Sequence, residues 1–555
     1  MSERSLIGPS AVMAVGTVTS RITGVLRDIT MAAALGFFLV SDAFSLGNSL
    51  PTMIYILVIG GALNAVFIPQ LVRKMKDDAD DGKAYADRLI TISGIALLVL
   101  SVVAVVLAPL IVDLYTPSDY PQQEFDLAVA FARLCLPQIF FYGVYAMLSQ
   151  VLNSRGKFGA PMFAPIANNV VAIATFLLFI AVAGTSAAAD GVLTTDQVLL
   201  LGIGTTLGVM AQALILIPVL GRAGYKWRPR FDWRGHGLGK AGHLAMWTIG
   251  LVLVNQLTYL VITRFATQAN VNASLAGEVA AGLTTYQKAH LVFILPHSVI
   301  TVSIVTALLP ALSRVAHSGK LTQVGRDIAG AMRLVSFFII PITAILFVAG
   351  IAIAVLLFGY GAATTGQAEI LGVVISIFML GLIPFTLFYV LLRGFYALED
   401  TRTPFIITVI FSVLLLALLV PFFGLLSGNG VQISFIALCY SISYWVGLVI
   451  AWIVLARRVR GMESGKLVLS IGRMFIAGVI SLLTMILVIG QINNLMFGTG
   501  EAIDYSNKGL ILLRLLIVSA VGLLVYLLAA WALRVPEISM ARRLIASKLR
   551  RKVTT

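Results

Sequence analysis

Apolar runs long enough to cross a bilayer recur from one end of this chain to the other, and that recurrence leaves few folds open. They lie near residues 7–36, 43–72, 88–112, 126–152, 161–184, 197–220, 243–267, 280–312, 329–357, 370–396, 404–425, 432–456, 470–490 and 509–533. A helix needs about 20 residues to span a hydrocarbon core of about 30 Å. Lipid offers the backbone no hydrogen-bond partners, so spanning segments are helices or closed barrels, and these runs lack a barrel's alternation. Only 11% of the 555 residues are charged, less than half the usual share in soluble domains. The expectation is an all-α polytopic membrane protein of about 14 transmembrane helices, with no room for a sizeable soluble domain. Cys135 and Cys439 both fall inside apolar runs and read as small core residues rather than a disulfide framework. Arg21 and Arg27 interrupt the first apolar stretch, which argues against a cleavable signal.

With this span count, alternate loops differ sharply in charge. One set holds Arg73, Lys74, Lys76 and Lys83, then Arg155 and Lys157, then six cations between Arg222 and Lys240, and later Arg314, Lys320, Arg402 and Arg457 to Lys466. The other set holds Asp113, Asp119, Glu124, Asp190, Asp196, Glu278, Glu369, Glu501 and Asp504, with Lys508 its only base. Lysine and arginine stay on the cytoplasmic side, so both termini are expected in the cytoplasm. The net charge of +15 is then a matter of topology, and no nucleic acid partner is expected.

The helix ends repeat. Pro69 and Pro310 sit in similar apolar contexts 241 residues apart, and Pro161 and Pro404 lie 243 apart, each just after a short turn. Proline suits the first turn of a helix, where no amide bond is lost. The repeat predicts two six-helix lobes related by pseudo-two-fold symmetry plus two C-terminal helices. The boundaries are an N-lobe over 1–221, an inter-lobe linker over 222–240, a C-lobe over 241–457, and spans 13–14 with a basic tail over 458–555. Parallel repeats of this kind are a transporter architecture with the site between the halves. In the linker, Tyr225, Trp227, Phe231 and Trp233 beside arginines read as an interfacial anchor.

Ionisable groups inside a span are costly and usually face a cavity. Arg21, Gly24 and Asp28 share one face of span 1, with Arg27 about 100° from Asp28. Asp42 begins span 2; Arg133, Arg264, Lys288, His290, His297 and Arg393 lie in later spans. Plainer readings stand beside each: a structural ion pair for Asp28 with either arginine, snorkelling for Arg133 and Arg393, and packed polar residues for His290 and His297. The deep charges are mostly cationic. Such a chamber suits a strongly anionic substrate, because arginine forks bind phosphate oxygens bidentately, and it suits a cationic drug badly.

These residues also carry a pattern. The run from Ser20 to Asp28, Ser41-Asp42-Ala43-Phe44, Leu50-Pro51, Phe67-Ile68-Pro69, Phe163-Ala164-Pro165, Leu309-Pro310 and Gly394-Phe395-Tyr396-Ala397 resemble the MurJ (MviN) family, within the multidrug/oligosaccharidyl-lipid/polysaccharide exporter superfamily. The resemblance implies a flippase for lipid II, the undecaprenyl-pyrophosphate-linked peptidoglycan precursor, in the bacterial cytoplasmic membrane. It implies that Arg21 and Arg27 match cavity arginines that meet the pyrophosphate, that Asp42 matches a functionally important acid, and that spans 13 and 14 form a groove for the polyprenyl tail. Two cavity cations of proteobacterial members are missing, where this chain has Tyr55 and Leu291. Arg264, with Lys288 or His290, is expected to restore the positive field.

The expected mechanism is alternating access through a cationic central cavity, with Gly24 and Gly60-Gly61 as flexible or close-packing points. The substrate-binding residues are Arg21, Arg27, Asp28, Asp42, Arg264, Lys288 and His290. No catalytic residue, metal or cofactor is expected; coupling to the membrane potential or to an ion stays open, as does contact with cell-wall synthesis or division machinery. One alternative is an exporter of another polyprenyl-pyrophosphate-linked saccharide, or of a drug. Another is a polytopic enzyme acting on lipid phosphates, for which Asp77 to Asp81 would supply a metal-binding cluster; a solvated loop accounts better for that run.

Overall fold

In the computed structural model, residues 4–57, 82–232, 242–497, 505 and 507–538 are described. Every regular element among them is a helix. Eleven helical segments are long and apolar enough to cross a membrane, and a bent pair makes a twelfth. The two other expected spans are α1 (Arg4–Leu35), whose apolar run Arg21, Arg27 and Asp28 interrupt, and the one opening with α2 (Leu39–Tyr55). Pro69, Gly60-Gly61, Trp233 and the acidic run 77–81 lie outside the described residues.

Several spans are broken where the sequence forbids a continuous hydrogen-bond ladder. The third divides at Leu107 into α3 (Lys83–Val106) and α4 (Ala108–Tyr115), with Pro109 in the first turn of α4. The fourth divides at Leu136-Pro137 into α5 (Gln122–Cys135) and α6 (Gln138–Ser154), because proline has no amide hydrogen to continue the helix. Further along come α7 (Gly159–Ala183), α8 (Thr195–Leu214), α9 (Leu216–Arg222) and α10 (Gly242–Ala276). The helix α11 (Leu283–Pro296) passes through a π-helical turn at His297–Thr301 into α12 (Val302–His317). A long α13 (Leu321–Phe358) precedes α14 (Thr365–Met379) and α15 (Leu382–Ala397), which meet at a 46° bend. The chain then runs through α16 (Arg402–Phe423), α17 (Asn429–Arg458), α18 (Ser464–Phe497) and α19 (Lys508–Ala532).

The boundaries repeat more fully than the prolines alone predict. Leu39 and Leu283, both helix starts, are 244 apart; Tyr115 and Phe358, both helix ends, are 243 apart. The breaks after Cys135 and Met379 are 244 apart, and the starts Gly159 and Arg402 are 243 apart. Pro161 and Pro404 are each the third residue of their helix. The matched break within spans 4 and 10 is invisible as a motif, since one is made at proline and the other beside Gly381, where a side chain would strike Ser441.

The chain forms two compact units, 1–284 with 360–364 and 285–359 with 365–555. In the first, α1 packs on α7, α7 on α8, and α2 on α5. Its core holds Leu35, Phe44, Phe131, Phe176 and Phe179, with Phe44 edge-on to Phe131 at 5.2 Å and to Phe176 at 5.8 Å. Aromatic pairs in this geometry add to the burial gain. In the second unit α13 packs against α14, α18 and α19. There Tyr526 donates to the Phe337 carbonyl at 3.1 Å, and Ser481 donates to that of Gly522 at 2.7 Å.

The linker departs from the interfacial reading at one residue. Trp227 and Phe231 are exposed, but Tyr225 is buried and donates to Asp87 at 2.6 Å. Asp87 also accepts from the Arg228 amide at 3.2 Å, Thr91 accepts from the Arg230 amide at 3.2 Å, and Arg88 pairs with Asp232 at 2.6 Å. A buried carboxylate needs donors, and the linker backbone and Tyr225 supply them.

Candidate functional site

On α1 the exposed aliphatic side chains are Val15, Val18, Ile22 and Leu26, which fall on one stripe at 100° per residue. Arg21 and Arg27 project about 100° or more around the helix from that stripe, and both are half-buried. Arg27 is held on two sides: one amino group donates to Asp28 at 3.0 Å and the other to Asn169 of α7 at 3.3 Å. Asn169 is itself fixed by donating to Thr23 Oγ1 at 2.9 Å and to the Ser20 carbonyl at 3.1 Å. Asp28 is 9% exposed, whereas the Arg27 side chain keeps 36% of its surface open. An arginine has five N–H donors, so the two bonds leave most of them for a ligand. Gly24 is not a tight spot, since an added methyl would come only to 3.7 Å from Asn169 Nδ2; the close approach of α1 to α7 is at Gly16, 3.0 Å from Met162 Cβ.

Asp42 has a different environment. It is 1% exposed. Its Oδ1 accepts from the Thr284 amide at 2.7 Å, and its Oδ2 accepts from the Leu283 amide at 3.0 Å and from Asn270 Nδ2 at 2.8 Å. Leu283 and Thr284 open α11, so the carboxylate satisfies amides that a helix start leaves without partners. Gly282 is required here, because a Cβ would lie 2.1 Å from Asp42 Oδ2. Ser45 and Thr284 join their hydroxyls at 2.9 Å beside it.

The other expected residues are dispersed. Arg264 is half-buried on α10, in the unit that holds Arg21, Arg27, Asp28 and Asp42. Tyr55, where a family cation is missing, rests against Tyr142 at 5.8 Å. Lys288 and His290 belong to the second unit. Lys288 is 4% exposed. His290 packs among Tyr286, Phe293, Phe378 and Tyr440, with ring centroids 5.5–6.2 Å away. His297 is buried against Phe385 and Tyr389. Arg393 lies over the Tyr389 ring at 4.3 Å, while Arg133 is exposed.

A census limited to ionisable groups misses the amides that hold them, Asn169 and Asn270. Polar side chains in the middle of apolar runs are the signal that finds both. Arg514 on α19 was also missed; it is 8% exposed and its Nε has no hydrogen-bond partner among the described residues.

The second unit also carries an apolar groove of about 380 Å³. Ile340 and Phe347 of α13, Ile383 of α15, Trp445 of α17 and Val479 and Leu482 of α18 line it. The wall expected from span 14 is not among the lining residues.

The family described as Lipid II flippase MurJ matches residues 31–506. A probable lipid II flippase MurJ of Rhizobium meliloti (strain 1021) is 27% identical over 551 residues, covering 97% of this chain and 96% of that one. The lipid II flippase MurJ of Burkholderia cenocepacia is 27% identical over 394 residues, 70% of this chain and 72% of that one. Among solved structures, a lipid II flippase MurJ in an inward closed conformation superposes with a TM-score of 0.72 at 20% identity, over 96% of this chain and all of the other. A multidrug resistance MATE family transporter matches at 0.61 and 14% identity, over 81% of this chain and 99% of that one. The fold is therefore the one these solved structures share, and by the extent of the family match this multi-pass membrane protein belongs to the lipid II flippase MurJ family.

Proposed function

We propose that this protein flips lipid II from the inner to the outer leaflet of the bacterial cytoplasmic membrane. One observation carries the reading beyond the family match. Arg27 is positioned within a membrane-embedded bundle by Asp28 and Asn169 and keeps a third of its side-chain surface open. A fixed fork with spare donors suits a pyrophosphate, whose oxygens take paired N–H bonds. Arg21, six residues earlier, adds a second cation.

In this reading the pyrophosphate enters a chamber walled in part by Arg21 and Arg27, and alternating access carries it across. Asp42 acts as a positioning residue, its oxygens being taken up by amides. The charge asymmetry of the loops supports cytoplasmic termini. The membrane potential would act on any net charge moved, at about 2.3 kcal/mol per charge per 100 mV. In this reading one stretch of the polyprenyl tail lies along the apolar groove beside Trp445 and Val479. Val479→Trp, which fills that groove from its rim, is expected to slow lipid II translocation several-fold in proteoliposomes with little change in melting temperature. An unchanged rate would remove the groove from the path.

Arg264 and Lys288 are proposed to replace the cations missing at Tyr55 and Leu291. Arg264→Ala and Lys288→Ala should each lower translocation about tenfold, the scale of one charge-assisted bond. If both variants work as wild type, the compensation idea is wrong. The deciding experiment for the function is depletion in the parent bacterium with lipid II assigned to each leaflet. Accumulation on the inner leaflet, reversed by wild type, supports the proposal. An unchanged distribution favours export of another polyprenyl-linked saccharide, and sugar transfer from a radiolabelled nucleotide-sugar would favour an enzyme.

A further inference from the structure

The second unit contains a wall of rings that neither the pyrophosphate contacts nor the tail groove uses. His290 of α11 lies 5.8 Å from Tyr440 of α17, Tyr440 lies 4.7 Å from Tyr444, and Tyr444 lies 5.1 Å from Phe385 of α15. Phe385 is 4.7 Å from His297, which is 4.8 Å from Tyr389. Arg393 closes the row over Tyr389, donating to its hydroxyl. Buried Tyr286, Phe293 and Phe378 pack against this row, whose His297 is also buried.

The rest of the row is only half-buried, and its chemistry is not that of a lipid-facing surface. The positions of α15 that are not buried are Phe385, Tyr389, Leu392, Arg393 and Tyr396, one stripe at i, i+4, i+7, i+8 and i+11. Helix α16, by contrast, exposes aliphatic Ile406, Ile410, Val413 and Val420 between Arg402 and Phe422 near its ends. On α17 the same distinction separates two faces: Tyr440 and Tyr444 form one, while Ile442 and Trp445 border the apolar groove on the other. A stripe of phenols, imidazole and guanidinium belongs beside water or a polar ligand, since each group would lose its hydrogen bonds in hydrocarbon. A π-helical turn at His297–Thr301 sets His297 against this wall, and such turns concentrate at functional sites.

We propose that the half-buried rings of Tyr440, Tyr444 and Phe385, flanked by His290, Tyr389 and Arg393, bind a pyranose ring of the saccharide carried by the lipid. This rests on the function proposed above and assigns the sugar part of its substrate. A pyranose presents an apolar C–H face and a rim of hydroxyls. Flat rings meet the face, and phenol, imidazole and guanidinium groups at their edges meet the rim. An aromatic wall could also hold an organic cation, but Arg393 repels one. An alkyl chain would offer the polar edges of these rings no hydrogen bond of its own.

The test uses the full-length protein in nanodiscs and the soluble disaccharide N-acetylglucosaminyl-N-acetylmuramic acid, which carries neither lipid nor pyrophosphate. Saturation-transfer NMR should show transfer to the ring protons of the disaccharide. Tyr444→Leu should weaken binding about tenfold, the scale of one lost stacking contact, and Tyr444→Phe less than threefold by the same scale. Phe385→Leu should behave as Tyr444→Leu, so the outcome does not depend on one variant folding. Absence of transfer in the wild type overturns the assignment, as does equal binding by wild type and both leucine variants. Tetraphenylphosphonium taking the saturation in place of the sugar overturns it too. Lipid II translocation is measured in the same preparations. Translocation without disaccharide binding sinks the sugar site alone; disaccharide binding without translocation sinks the flippase reading and leaves the sugar site standing.

Discussion

Arg27→Ala is expected to abolish rescue of a strain depleted of this protein and to slow lipid II translocation by about a hundredfold or more. The magnitude follows from the fork. Hydrogen bonds to a charged partner contribute roughly 1.5–3 kcal/mol each, and a bidentate grip on a pyrophosphate makes two. About 1.4 kcal/mol is tenfold, so losing both is worth at least two decades. Arg27→Lys keeps the charge but not the planar fork, and should recover only a small part of the activity. Asn169→Leu leaves Arg27 in place but removes the acceptor that now holds one amino group at 3.3 Å. It should cost about tenfold, one neutral-to-charged bond. The measurement is transfer of fluorescent lipid II across proteoliposomes at matched protein orientation. If Arg27→Ala translocates at the wild-type rate, the pyrophosphate site lies elsewhere, whatever the family.

The span count, the helical class and the repeat were legible because each is written in a long-range pattern. Apolar runs of about 20 residues have one solution in lipid, and Pro161 and Pro404 mark equivalent helix starts. The broken fourth and tenth spans were not legible, because proline at 137 and glycine at 381 make the same break by different chemistry. Within the site, the sequence could name charges but not their partners. Arg27 and Asp28 are adjacent in the chain, so a pair between them was foreseeable. Asn169 lies 142 residues from Arg27 and reaches it only because α7 packs on α1. Tyr225 shows the same limit from the other side. Trp227 and Phe231 lie at the surface as their composition suggests, yet one buried carboxylate on α3 draws Tyr225 inward. His290 was singled out as a cation; it instead stands among rings, which its own helix could not reveal, since two of them come from α14 and α17.

Asp42 spends its charge on amides of the protein itself, and its replacement should therefore damage the protein before it damages binding. Three donors converge on its two oxygens, and all three are buried. Asp42→Ala would leave them in an apolar setting with no acceptor, at roughly 1–3 kcal/mol each. A loss of about 3 to 9 kcal/mol is expected on that scale, which lowers the melting temperature by roughly 5–15 °C. Asp42→Asn is nearly isosteric but turns an amino group toward one of the donating amides, so it should recover less than half of the loss. Thermal unfolding in detergent, followed by tryptophan fluorescence, reads both variants. A substrate ligand would give the opposite pattern, in which Asp42→Ala melts within about 1 °C of wild type while translocation collapses. That result would mean the amides of Leu283 and Thr284 find other acceptors, and that the carboxylate is free to meet the substrate after all.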